Sequence, residues 1–268
     1  MDTYMLKYNQ ETLNEIIKLN LEGFSLNEIA NHYETCYQNI QSLLKKFNEK
    51  LPISWPKNKE VAHDFFDNID NEIKAYLFGF FLADGCVYDK NRIGICLSNI
   101  DEYIIDLYRD YIYPKGLKKI LNNTKGALNR KPQIIFRINS FRIVNALAKY
   151  GVGPRKTYAD IEIPKIDNDL IHHVIRGYFD GDGCISFRKA TGLANIIIVN
   201  GSDSILKSIA ECLPKTIKST MLYRKTCATL NIRTQSHIIE FGNYIYKDAN
   251  FYLQRKKDKF NLIRTTLR

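Results

Sequence analysis

No apolar run in this chain approaches the roughly 18 residues that a membrane-spanning helix needs, so no membrane partner is expected. The opening stretch, MDTYMLKYNQ, is polar and carries no secretory signal. The six cysteines (Cys36, Cys86, Cys96, Cys184, Cys212 and Cys227) form no CxxC pair and no zinc spacing. That gives no sign of a zinc module and suits reduced core thiols of an intracellular protein, cytoplasmic or organellar. The five histidines are scattered and form no ligand set or triad. What the chain does have is positive charge: 39 Lys and Arg against 29 Asp and Glu, a net +10. Such a balance favours an anionic partner, with nucleic acid first.

Helical periodicity opens the chain. Leu13, Ile16, Ile17 and Leu21 share one spacing. Ser25 with Glu28 makes a capping-box pattern for a helix over Leu26–Tyr33, and a third helix is expected over Tyr37–Phe47. The run from Glu22 to Phe47 resembles a helix-turn-helix, whose last helix enters the major groove. Gln38, Asn39, Gln41 and Lys45 would then face DNA. Residues 1–50 hold five Lys against seven acids, net −2, so the remaining 218 residues carry +12. This segment would therefore bind weakly alone. Residues 51–70, with two prolines and Trp55, read as a linker.

The rest of the chain repeats itself. LFGFFLADG at Leu77–Gly85 recurs 98 residues later as IRGYFDGDG at Ile175–Gly183, each followed by Cys. Both read as apolar helices ending in an acid and then glycine, the residue suited to leave a helix. After each copy comes the same ladder of two strands, a helix, two strands and a helix. In the first, Ile93, Ile95 and Leu97 alternate with smaller or polar residues, as do Ile134, Phe136 and Ile138. The expected units are 1–50, 51–70, 71–165 and 166–268, the last two being duplicated halves.

Gly79 and Ala83 share one helical face, as do Gly177 and Gly181. Faces without bulky side chains let two helices cross closely. The crossing would bring Asp84 and Asp182 together at the negative ends of two helix dipoles, an arrangement that needs an offsetting positive charge. A divalent cation such as Mg²⁺ suits it, and metal-assisted phosphodiester hydrolysis is the reaction that follows.

Over roughly residues 70–265 the paired motifs and their ladder resemble a single-chain LAGLIDADG homing endonuclease. The resemblance implies an α+β fold: two pseudo-symmetric αββαββα repeats forming a DNA-binding saddle, here with a small all-α helix-turn-helix domain in front. It implies double-strand cleavage of a long DNA site by Mg²⁺ or a relative such as Mn²⁺. The metal would be held at Asp84 and Asp182, with the adjoining Gly85 and Gly183. The family's other acidic position falls on Leu82 in one copy and Asp180 in the other.

The family often places a late basic residue near the scissile phosphate. PRKT and QRKK align as repeat equivalents, giving Lys156 and Lys256, which lie 72 and 74 residues after Asp84 and Asp182. A lysine there would polarise the attacking water or offset developing charge. Candidates for DNA reading on the open sheet faces are Arg92, Gln133, Arg137, Asn139, Arg188, Tyr223, Asn231 and Arg233, with Tyr88 and Ser186 beside them. Both halves lie in one chain, so a monomer on double-stranded DNA is expected. An initial Met without splicing residues at the ends points to a free-standing or intron-encoded enzyme rather than an intein. Two rivals share the scaffold: a DNA-binding regulator that does not cut, and an intron maturase that binds RNA.

Overall fold

The computed structural model describes residues 9–22, 24–49, 60–121, 132–154, 156, 159–188 and 190–266. Trp55, the basic loop at 125–131 and Arg155 lie outside the described residues.

Three helices come first: α1 (Gln10–Glu22), α2 (Leu26–His32) and α3 (Tyr37–Lys46). Ser25 caps α2 through its Oγ, which accepts from the Glu28 amide at 3.2 Å, while the Glu28 carboxylate accepts from the Ser25 amide at 2.9 Å. Leu13, Ile16, Ile29, Ala30, Ile40, Leu43 and Leu44 close a small core of their own.

The rest builds one larger core from two similar halves. The first runs α4 (Glu72–Asp84), β1 (Gly85–Asp89), β2 (Arg92–Ser98), α5 (Glu102–Ile112), β3 (Lys119–Leu121), β4 (Gln133–Asn139) and α6 (Phe141–Lys149). The second runs α7 (Asn168–Asp182), β5 (Gly183–Arg188), β6 (Leu193–Asn200), α8 (Ser204–Cys212), β7 (Thr220–Tyr223), β8 (Ala228–Ile232), α9 (Gln235–Ile245) and α10 (Gln254–Thr266). Each half holds one antiparallel four-stranded sheet, ordered β1-β2-β4-β3 and β5-β6-β8-β7. The alternation in the strands decides which face is covered. Ile93, Ile95 and Leu97 of β2 and Ala194, Ile196 and Ile198 of β6 are buried under the helices.

Three features differ from the sequence-based expectation. The cysteines expected in the core are not there: Cys36, Cys86 and Cys184 are exposed and Cys96, Cys212 and Cys227 half-buried, Cys86 and Cys184 because strand alternation turns them to the open sheet faces. Gln254–Thr266 is a thirteen-residue helix, although its sequence, QRKKDKFNLIRTT, shows almost no apolar stripe. Its buried residues are Phe260, Ile263 and, unexpectedly, Lys256. The motif helices also leave differently. Gly85 (φ −71°, ψ 157°) and Gly183 (φ −78°, ψ 145°) are extended, a conformation any residue adopts. Glycine is needed there for clearance instead. A Cβ would lie 2.2 Å from the Phe81 ring at Gly85 and 2.1 Å from the Phe179 ring at Gly183.

Candidate functional site

The helices α4 and α7 cross on their glycines. A Cβ at Gly79 would sit 2.0 Å from the Val174 carbonyl oxygen, and one at Gly177 would sit 2.1 Å from that of Tyr76. Further along, a Cβ at Gly181 would come within 2.3 Å of the Ala83 Cβ and 2.9 Å of Asp84 Oδ2. The crossing therefore tolerates Ala on one side only where it faces Gly on the other. All four small residues lie in the contact, and they carry the carboxyl end of each helix to the other.

Asp84 and Asp182 arrive there half-buried. Burial and the facing charge of Asp182 raise Asp84 to about 6, against the pull of Lys156 and Lys256. Burial raises Asp182 as well, opposed by the two lysines and by the Tyr178 hydroxyl. That hydroxyl accepts from the Asn200 amide at 2.7 Å. Tyr178 and Asn200 escaped the sequence reading; the one available signal was Tyr178 where the first copy has Phe80. Two carboxylates with raised proton affinity, one of which, Asp182, lines a cavity of about 370 Å³ together with Lys156, fit a hard divalent cation with water in its remaining positions. Among the described residues no cluster of three or more His, Cys, Asp or Glu offers a fuller protein cage. Two acids plus water and phosphate oxygens suit Mg²⁺ better than a metal wanting an all-protein shell.

Both predicted lysines reach this end of the helices, but on carbonyls. Lys156 Nζ donates to the Leu82 and Ala83 carbonyls, both at 2.6 Å. Lys256 Nζ donates to Phe179 (2.5 Å), Asp180 (2.6 Å) and Gly183 (2.6 Å). Each ammonium thus offsets the negative end of a motif helix directly beneath its acid. An ammonium has three donors. Lys256 uses all of them, and its burial lowers it to about 8. Lys156 keeps one donor direction among the described residues, and burial lowers it too, against the pull of Asp182 and Asp84. Lys256→Met is therefore expected to act mainly on stability, by about 3 kcal/mol through the orphaned carbonyls. Lys156→Met is expected to act mainly on turnover. Paired denaturation and single-turnover measurements check the split, and an equal effect on both readouts for both variants would contradict it.

Asp180, two residues before Asp182, is bound into the packing instead. It is 1% exposed, and its Oδ2 accepts from the Tyr76 hydroxyl of α4 and from the Leu253 amide, both at 2.8 Å. It thereby ties three segments together beneath the crossing. A second tie starts at Arg176, fully buried on α7. Its guanidinium donates to Glu72 of α4 (2.6 Å), to the Phe251 carbonyl (2.7 Å) and to the Ile245 carbonyl (2.8 Å). Removing one member of a buried ion pair strands the other. Arg176→Met is expected to cost about 3 kcal/mol or more in denaturant unfolding, and an unchanged midpoint would contradict the pairing.

The sheet-face candidates divide. Arg92, Arg137, Asn139, Arg188, Tyr223 and Arg233 are exposed, and Gln133 is half-buried. The Arg92 and Arg137 guanidiniums lie 5.6 and 5.2 Å from the centre of the Tyr88 ring. Asn231 is the correction. It sits on the open side of β8 but is only 3% exposed, and its amide is given to Thr229 Oγ1 at 2.9 Å. On α3, Gln38, Gln41 and Lys45 are exposed, whereas Asn39 is half-buried and donates to Thr35 Oγ1 at 2.7 Å.

No family model matches the chain. Among curated proteins it is similar to the DNA-directed RNA polymerase subunit Rpo1C of Methanocaldococcus jannaschii, 21% identical over 219 residues. That match takes in 80% of this chain but only 22% of the polymerase subunit. Among solved structures it is similar to the homing endonuclease I-WcaI bound to its DNA recognition sequence, at 14% identity and a TM-score of 0.50, over 78% of this chain and 95% of that one. It is also similar to full-length DUF199/WhiA from Thermatoga maritima, at 18% identity and a TM-score of 0.48, over 77% of this chain and 65% of that one. Two antiparallel four-stranded sheets, each following a motif helix in the order αββαββα, make this the LAGLIDADG fold, one sheet to each half of the chain.

Proposed function

We propose that the protein is a site-specific, metal-dependent endonuclease of double-stranded DNA, a homing endonuclease by type. The observation that carries this reading is the convergence of Asp84 and Asp182 at the carboxyl ends of two glycine-crossed helices, each raised by burial. A divalent cation such as Mg²⁺ would supply Lewis-acid stabilisation and an activated water there. The chain's own groups do the rest. Asp84 and Asp182 would hold the cation, and the Tyr178 hydroxyl fixes Asp182. Lys156, with its remaining donor, faces the charge that develops on the phosphate. The exposed arginines of the sheets hold the duplex, and the net charge of +10 steers it in. The helices α1 to α3 add contacts on the flank through Gln38, Gln41 and Lys45. The DNA named in the I-WcaI complex supports the choice of ligand.

The test is selection of duplexes from a random library by the full chain, followed by incubation of the enriched site with Mg²⁺ or Mn²⁺. The expected result is a double-strand break within the selected site. Tight binding without cleavage under either metal would make the chain a DNA-binding protein on this scaffold. Failure to enrich any duplex would remove the reading altogether.

A further inference from the structure

The two sheet faces are not chemically alike, although the strands that form them match. Pairing registers give the equivalences. Gly85 lies opposite Ile95 and Gly183 opposite Ile198, so Gly94 corresponds to Ile197 and Cys96 to Val199. Across the next pairs, Gly94 faces Arg137 and Ile197 faces Asn231, while Lys119 faces Ile135 and Leu222 faces Thr229. Gly94, Cys96 and Lys119 on the first open face are thus replaced by Ile197, Val199 and Leu222 on the second. Leu193, opposite Arg188 at the hairpin, adds a fourth aliphatic residue.

Exposure follows the same division. On the second face Leu193 is 61% exposed, Val199 43% and Leu222 40%. The polar residues between them are withdrawn, since Thr229 and Asn231 are buried and bonded to each other. On the first face Ile135, the counterpart of Thr229, is 7% exposed and Leu121, opposite Gln133, is half-buried, while Arg92, Arg137, Asn139 and Lys119 stand out. The second face is not simply a sticky patch. Its rim carries exposed Arg188, Arg224, Lys225 and Arg233, which complements a polyanion rather than an apolar protein surface.

Resting on the reading that this fold grips duplex DNA, we propose that the second repeat reads its half-site through thymine methyl groups. Leu193, Ile197, Val199 and Leu222 make the contacts, and the first repeat reads its half by polar contacts from Arg92, Arg137 and Asn139. Thymine alone among the bases offers a methyl in the major groove, and aliphatic side chains cannot hydrogen-bond the edges of the others. The basic rim holds the phosphates and carries no sequence information. The half-site under the second repeat is therefore rich in A·T pairs with thymines on the contacted strand, and the half under the first contains guanine and adenine contacts.

The experiment uses the full chain without metal and the duplex enriched from the random library. Repeating the selection with Arg137→Ala shows which half belongs to the first repeat, because base preference relaxes there. Deoxyuridine then replaces thymidine in one half at a time, removing only the methyl. In the second repeat's half each lost methyl is expected to weaken binding about fourfold, the value of one buried methyl group. In the other half the same exchange is expected to change little. Leu193→Ser and Leu222→Ser, both at exposed positions, are each expected to shrink the difference between thymidine and deoxyuridine in that half, leaving the part owed to Ile197 and Val199. A chain that binds duplex DNA with equal indifference to deoxyuridine in both halves overturns this assignment and leaves the endonuclease reading standing. A chain that binds no duplex overturns both. Concentration-dependent dimers that Leu222→Arg abolishes would assign the aliphatic face to a second copy and also overturn it.

Discussion

Asp84→Asn and Asp182→Asn are each expected to lower double-strand cleavage by about a thousandfold or more, with duplex affinity within about threefold of the unaltered chain. Asparagine keeps the shape and removes the charge that draws the cation. The same substitutions have a second readout. Asp84 ordinarily titrates at 3.8 and is raised to about 6 in the fold, so the folded state binds its proton more tightly than the unfolded state does. Its ionisation therefore costs stability at pH 7. That cost shrinks as pH falls through about 6 and is gone below 3.8. Without metal, Asp84→Asn should melt above the unaltered chain at pH 7, and the gap should close on acidification. Mg²⁺ should raise the melting temperature of the unaltered chain and do so less for either variant. Equal cleavage by the variants, or an unaltered response to Mg²⁺, would remove these acids from the site.

Gly79→Ala and Gly177→Ala are expected to be the most damaging single-methyl changes in the chain. Each new Cβ would meet a backbone carbonyl of the facing helix, at 2.0 and 2.1 Å, and a backbone cannot rotate away as a side chain can. Either α4 and α7 separate or the crossing angle changes, and both disturb the core of two halves at once. The cost is about 3 kcal/mol or more, which for a protein of this size is a fall of roughly 6–12 °C in Tm. Gly153→Ala serves as control, because a Cβ there meets nothing within 4 Å. If Gly79→Ala melts with the control, the helices are not locked as described.

Much of this was legible in the sequence because it rests on local periodicity. The duplicated motif gave the crossing, and the alternating strands gave the covered sheet faces. What escaped depends on partners far apart in the chain. Arg176 and Glu72 are 104 residues apart, and nothing near either marks the pair. Asp180 carried no assigned role in the sequence, and its part as a tie depends on the Tyr76 hydroxyl, 104 residues away. α10 was missed because a buried lysine occupies a place in its inward stripe, and the sequence cannot show that three carbonyls wait for it. Asn231 was assigned by strand parity, which is right about the face and silent about a neighbour that takes the amide. The glycines after each acid were read as a way out of the helix, when the Phe81 and Phe179 rings are what exclude a side chain.

The ties from the end of the second half to the first bear on how such a protein can be recombined. Glu72 accepts from the Asn250 amide and side chain, both at 2.7 Å, and Asp101 receives Arg255 at 2.9 and 2.7 Å. These contacts lie away from the motif glycines that would make halves interchangeable. A chimera joining this first half to a foreign second half leaves Glu72 without its Asn250 donors and Asp101 without its guanidinium, even where the foreign motif helix supplies an arginine in the place of Arg176. Transplanting residues 250–255, together with Arg176 where the foreign motif helix lacks it, restores both ties, which makes those positions the compatibility key between partners.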